Sequence, residues 1–189
     1  MRLYRLFMPE QLGRSVVTLD AVATALAVAV FSFLTIPAAT IPASASGSVV
    51  PFNGDVSPGT IVVRTNERRL YLVLGQGRAM AYPVGVGRAG RQWSGRANID
   101  GKHIRPAWTP PPDMARETGR SGVIPGGSPQ NPMGVAAMTL SGGDYAIHGT
   151  NQPSSIGGFV SYGCIRMYNQ DITDLFDRVS IGTPVIVTR

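Results

Sequence analysis

The 189-residue chain has a single cysteine, two histidines and only 7% aromatic residues. One cysteine excludes an intramolecular disulfide framework, and one Cys with two His falls short of the four ligands of a structural zinc site. Charged residues make up 15% and apolar ones 43%. That balance excludes wholesale disorder, which combines high charge with low hydrophobicity. The net charge of +6 comes almost entirely from scattered arginines. With no basic helix and no aromatic-studded basic strand, nucleic acid is excluded as the expected partner. What the chain does have is 23 Gly and 15 Pro without a period. These read as turns and long loops between short strands, so a mainly β domain is expected rather than a long helical bundle.

The apolar residues are concentrated near the N-terminus. Arg2, Arg5 and Arg14 precede the uncharged stretch 21–34, which is followed by Pro37 and by Ala43-Ser44-Ala45. A basic flank, a short apolar core and an A-x-A site form a secretory signal. Fourteen residues of helix reach about 21 Å, short of a hydrocarbon core of about 30 Å. Residues 1–45 are therefore read as a signal peptide cleaved after Ala45, with an uncleaved N-terminal anchor as the alternative. Both readings export the remainder to the periplasm or cell envelope. Its mild positive charge suits an anionic polymer or surface outside the cytoplasm.

Residues 46–58, rich in Ser, Gly and Pro, read as a linker. Strands are expected at 60–64, 69–74 and 79–86, joined by the turns Thr65-Asn66-Glu67 and Gly75-Gln76-Gly77. A long Gly/Pro-rich loop at 87–132, containing Trp93 and Trp108, is expected to carry one short strand and to fold over one face. Strands resume at 135–140 and 145–148. Asn169 is expected to N-cap a helix whose apolar residues Ile172, Leu175, Phe176 and Val179 fall on one face. Asp171 sits in the first turn, where the helix dipole favours a carboxylate. A closing strand follows at 183–187. The expected architecture is a β-sandwich or barrel-like sheet with one short helix.

The lone cysteine lies in Ser161-Tyr162-Gly163-Cys164-Ile165-Arg166-Met167. Alone it reads as a small buried hydrophobe. A nucleophilic thiol needs a base, because a thiol of pKa about 8.5 is only about 3% ionised at pH 7. His148 ends a predicted strand sixteen positions earlier, and Pro153 and Gly157-Gly158 allow the chain to return to it. His103, beside Lys102 and near Arg105, reads as an exposed loop residue. Tyr162, Gly163 and Cys164 each carry a backbone N–H that a tight glycine turn can aim at a developing oxyanion.

His148-Gly149-Thr150-Asn151 followed by residues 161–167 resembles the signature of the L,D-transpeptidase catalytic domain, the YkuD family. The resemblance spans roughly residues 59–188 and includes Asn131-Pro132-Met133-Gly134. It implies that Cys164 is the nucleophile, His148 its base, the Gly149 main chain the group orienting the imidazole, and Tyr162, Gly163 and Cys164 the oxyanion hole. It also implies a peptidoglycan stem tetrapeptide as donor, release of D-Ala, and a thioester resolved by an amine on a second stem to give a 3→3 cross-link. No metal or organic cofactor is implied, and carbapenem-type inhibitors are. Attachment of an outer-membrane protein, L,D-carboxypeptidase action and cleavage of such links share the same residues. A non-catalytic peptidoglycan-binding module is the reading of another class. Tyr162 departs from the family pattern, which has His there. Arg166 is a candidate for a substrate carboxylate, with pairing to an acid such as Asp171 as the alternative. Trp93 and Trp108 are candidates for shaping the donor site, with core packing as the alternative. Ser161 and Asn151 read as loop-fixing hydrogen-bonders.

Overall fold

The structure, a computed structural model, describes residues 47–189. The expected signal segment at 1–45 lies outside the described residues. Alternating apolar side chains and tight turns build a meander of β2 (Ile61–Arg64), β3 (Arg69–Gly75) and β4 (Arg78–Pro83), all antiparallel. Ile61, Val63, Leu70, Leu72 and Tyr82 face inward. Val62, Val73 and Ala79 face outward, where Phe52 covers them. The expected linker is thus corrected: β1 (Ser48–Pro51) pairs with β4, and Phe52 belongs to a small second core.

The loop at 87–132 is corrected further. After the two-residue β5 (Val86–Gly87) it contains β6 (Gly95–Ile104), the longest strand described, and the helix α1 (Pro112–Thr118). β6 carries His103 on an exposed position and pairs with β7 (Ala136–Leu140), which pairs with β8 (Ala146–His148). β9 (Phe159–Ser161) pairs with β5 in parallel, and β10 (Ile165–Arg166) pairs with β8 in parallel. The chain then forms α2 (Asn169–Arg178) and β11 (Pro184–Thr188). β11 inserts between β2 and β6, giving the order β1-β4-β3-β2-β11-β6-β7-β8-β10.

This mainly β sheet curls on itself. Gly85, just past β4, exchanges two backbone hydrogen bonds with Arg166 at the far end of the order, at 2.9 and 2.8 Å. A single apolar cluster draws on both ends of the sheet and takes in Ile172, Leu175 and Val179 from the α2 region. The barrel-like expectation with a helix after the cysteine therefore holds, with α1 as an additional helix. Asn169 does not cap α2: the N-cap is Tyr168, without a side-chain bond. The Asn169 Oδ1 instead accepts from the N–H groups of Val135 and Thr150, which ties the helix start to the strands that carry the site.

Candidate active site

Two parallel strands position the site. Ile147 pairs with Ile165 and His148 with Arg166. Because side chains alternate along a strand, Ile147 and Ile165 enter the core while His148 and Arg166 emerge on the opposite face. Cys164, two residues before Arg166, emerges with them. All three line one cavity of about 530 Å³, together with Trp108, Tyr145, Tyr162 and residues of α1.

His148 is 3% exposed, and its Nδ1 is 2.6 Å from the Gly149 carbonyl oxygen. A carbonyl only accepts, so Nδ1 carries the proton and Nε2 of the neutral ring is left as the acceptor. Burial, and secondarily the Arg166 charge, pulls the His148 pKa from 6.5 down to about 4, so the ring is neutral at pH 7. Burial pushes the Cys164 thiol above its ordinary value, partly offset by the Ala146 N–H and by Arg166. The resting pair is therefore thiol and neutral imidazole. Gly149 has a steric role as well: a Cβ there would lie 2.3 Å from Asn169 Oδ1.

The turn before the cysteine is braced from within. The Ser161 hydroxyl accepts from the Gly163 N–H at 3.1 Å and donates to the Cys164 carbonyl at 2.6 Å, as its loop-fixing reading expects. Asn151 also fixes a loop, donating to the Pro129 carbonyl at 3.1 Å. Of the three N–H groups expected to form the oxyanion hole, that of Gly163 is bonded to the Ser161 hydroxyl. The Tyr162 and Cys164 N–H groups are the other candidates. Gly163 adopts φ 122°, and a Cβ would meet the Tyr145 ring at 2.4 Å, so only glycine fits.

Trp108 and Arg166 line the cavity as expected; Trp93 does not. The Trp93 indole stacks on Tyr145 at 4.8 Å and packs against the core. Arg166 does not pair with Asp171. Its Nε has no partner, and neither carboxylate oxygen of the fully buried Asp171 has one. Burial raises the Asp171 pKa to about 6 despite the nearby helix start, so the dipole does not decide its charge. Tyr162 carries two cations on its ring, with the Arg88 and Arg91 guanidinium carbons 4.3 and 5.3 Å from the centroid. Arg88 holds Glu117 of α1 and Arg91 holds Asp113. Composition shows no sign of this cluster, which spans three segments. Among the described residues no three His, Cys, Asp or Glu side chains are grouped to hold a metal.

Residues 58–187 match the family model described as the L,D-transpeptidase catalytic domain, YkuD. The chain belongs to this family. It is 42% identical over 135 residues to the probable L,D-transpeptidase ErfK/SrfK of Escherichia coli, covering 66% of this chain and 42% of that protein. The chain thus spans half or less of the length of its enterobacterial L,D-transpeptidase relatives. The Enterococcus faecium L,D-transpeptidase superposes with a TM-score of 0.56 at 17% identity, over 70% of this chain and 50% of that one. The L,D-transpeptidase LdtMt1 in complex with imipenem gives 0.51 at 19% identity, over 68% and 58%. At these identities the likeness is one of fold.

Proposed function

We propose that this protein forms 3→3 cross-links in peptidoglycan through a thioester on Cys164. The observation that carries this reading is the placement of His148 at the end of β8 and Cys164 immediately before the neighbouring parallel strand β10, both lining one cavity, with Nδ1 held by Gly149 so that Nε2 is the basic nitrogen. With both groups neutral at rest, the thiol proton passes to Nε2 as sulfur attacks the donor carbonyl. The Tyr162 and Cys164 N–H groups receive the oxyanion, a backbone role that survives the exchange of His for Tyr. Collapse of the intermediate expels D-Ala, which takes its proton from the imidazolium. His148 then deprotonates the acceptor amine, whose attack forms the cross-link and frees the thiol. Arg166, with no ion-pair partner among the described residues, supplies a cation for the donor's carboxylate.

The catalytic unit in this reading is residues 59–188, exported by residues 1–45 to the periplasm or cell envelope as a cleaved signal or an anchor. No helix of the described residues is long and apolar enough to cross a membrane. The acceptor is a stem peptide, with a Lys of an outer-membrane protein as the other amine of suitable chemistry. Acylation of Cys164 by carbapenems is also proposed, in keeping with the imipenem complex of a structural relative.

Purified protein incubated with a disaccharide tetrapeptide should release D-Ala and form dimers, and Cys164→Ala should do neither. Shortened stems without dimers would turn the reading to an L,D-carboxypeptidase. Retained binding to sacculi with no product and no carbapenem adduct would turn it to a binding module. The base must be unprotonated, so the acid limb of kcat/KM should fall near pH 4 rather than 6.5. An acid limb at 6.5 would contradict a buried neutral His148.

A further inference from the structure

Trp93 lies outside the cavity, yet its indole Nε1–H donates to the Gly163 carbonyl at 2.9 Å. That carbonyl and the Cys164 N–H belong to one peptide unit. The described chain has no cis peptide bond, so the two groups point in opposite directions from that unit. With the oxygen drawn toward Trp93, which is not among the residues lining the cavity, the Cys164 N–H is turned away from Trp93.

We infer that Trp93 is a positioning residue for the oxyanion hole, holding the Gly163–Cys164 peptide so that the Cys164 N–H faces the reacting carbonyl. The inference rests on the thioester reading above and adds to it a residue far from the nucleophile in sequence. Two further contacts support it. The Trp93 ring stacks on Tyr145 with an interplanar angle of 6°, and Tyr145 fills the space that a side chain at position 163 would need. Indole, phenol ring and glycine thus form a clamp on one side of the turn. On the other side the Ser161 hydroxyl takes the Gly163 N–H and donates to the Cys164 carbonyl. Of the peptide groups between Gly163 N and Cys164 O, the Cys164 N–H alone is left without an assigned partner. A glycine at φ 122° has little steric resistance to a peptide flip, so an external hydrogen bond is what selects one orientation.

A role confined to packing and a role in the oxyanion hole separate when two reactions of the same thiol are compared. Alkylation by iodoacetamide needs the sulfur but forms no oxyanion, whereas acylation by imipenem passes through one. Trp93→Phe keeps an aromatic ring and removes the donor. Its acylation rate should fall about tenfold relative to its alkylation rate, a fraction of the effect of deleting an oxyanion donor outright. With the tetrapeptide donor, kcat should fall while KM holds. Trp93→benzothienylalanine, isosteric with tryptophan but lacking the N–H, should show the same change in ratio, and it decides the matter if the phenylalanine variant is poorly folded. An unchanged ratio in the isosteric variant, or parallel loss of both rates, would overturn the inference. A wild-type protein that is alkylated but never acylated would instead sink the thioester reading and this inference with it.

Discussion

The two α-helices of the described chain are held in opposite ways. α2 buries Asp171, Ile172 and Leu175, and the Lys102 ammonium donates to the carbonyls of Phe176 and Val179 at its C-terminal end, each at 2.6 Å. α1 buries no residue. Its ties to the rest of the protein include Arg88–Glu117 and Arg91–Asp113, and both arginines rest on the Tyr162 ring. Seven residues of helix are too few to persist on their own in water. α2 is thus part of the core, whereas α1 is a wall of the cavity held by exposed charges. Stability and substrate binding should therefore respond to different perturbations.

The largest expected effect is on α2. Leu175→Ala should lower unfolding stability by about 3 kcal/mol, within the usual range for a buried leucine, read from urea denaturation. Met114→Ala in α1 should leave the midpoint almost unchanged. Equal losses in the two variants would break the contrast.

A second, somewhat smaller effect concerns charge inside α2. The folded Asp171 carboxyl has its pKa raised from 3.8 to about 6, so its contribution is complete below 3.8 and is lost as pH rises through 6. His148 runs the other way. Its folded pKa of about 4 lies below 6.5, so the fold gains stability as pH rises from 4 to 6.5. Between pH 4 and 6 the two slopes nearly cancel. Asp171→Asn should add about 2 kcal/mol at pH 7 and leave a clear rise in stability across that window, with the two slopes unmasked from each other. A flat profile in the variant would remove Asp171 from the account.

The smallest effect belongs to α1. Glu117→Gln should leave the melting temperature unchanged but raise KM for the tetrapeptide a few-fold at low salt. Wild type and variant should converge near 1 M salt, where screening reaches about 3 Å. A salt-independent difference would mean that Glu117 acts by something other than its ion pair.

Legibility in the sequence follows the range of the contacts. The meander of β2 to β4 and the helix α2 show in the sequence because their apolar periods and turn residues are local. The cysteine and histidine were legible because the site is built from a short, residue-specific pattern at two strand ends. β6 was not. Within Gly95–Ile104 only Ala97 and Ile99 are buried, and the strand exists because β11 and β7 flank it, partners far away in sequence. α1 has local signals, Pro112 at its first turn and Gly119 after its end, but its sequence lacks the apolar face that marks a helix. The departure of Asn169 from its expected capping role has a similar cause, since its acceptor is claimed by Val135 and Thr150. The bond from the Gly163 N–H to the Ser161 hydroxyl two residues away is a local contact that spacing does not express.

β11 sits between β2 and β6, so neither half of the sheet has its central neighbour until residues 184–188 are in place. Pairing of this range makes folding slow and late. A nascent chain still lacking those residues would expose the β2 and β6 edges and have no closed core. The position of one five-residue strand thereby sets the moment at which two separate half-sheets become one.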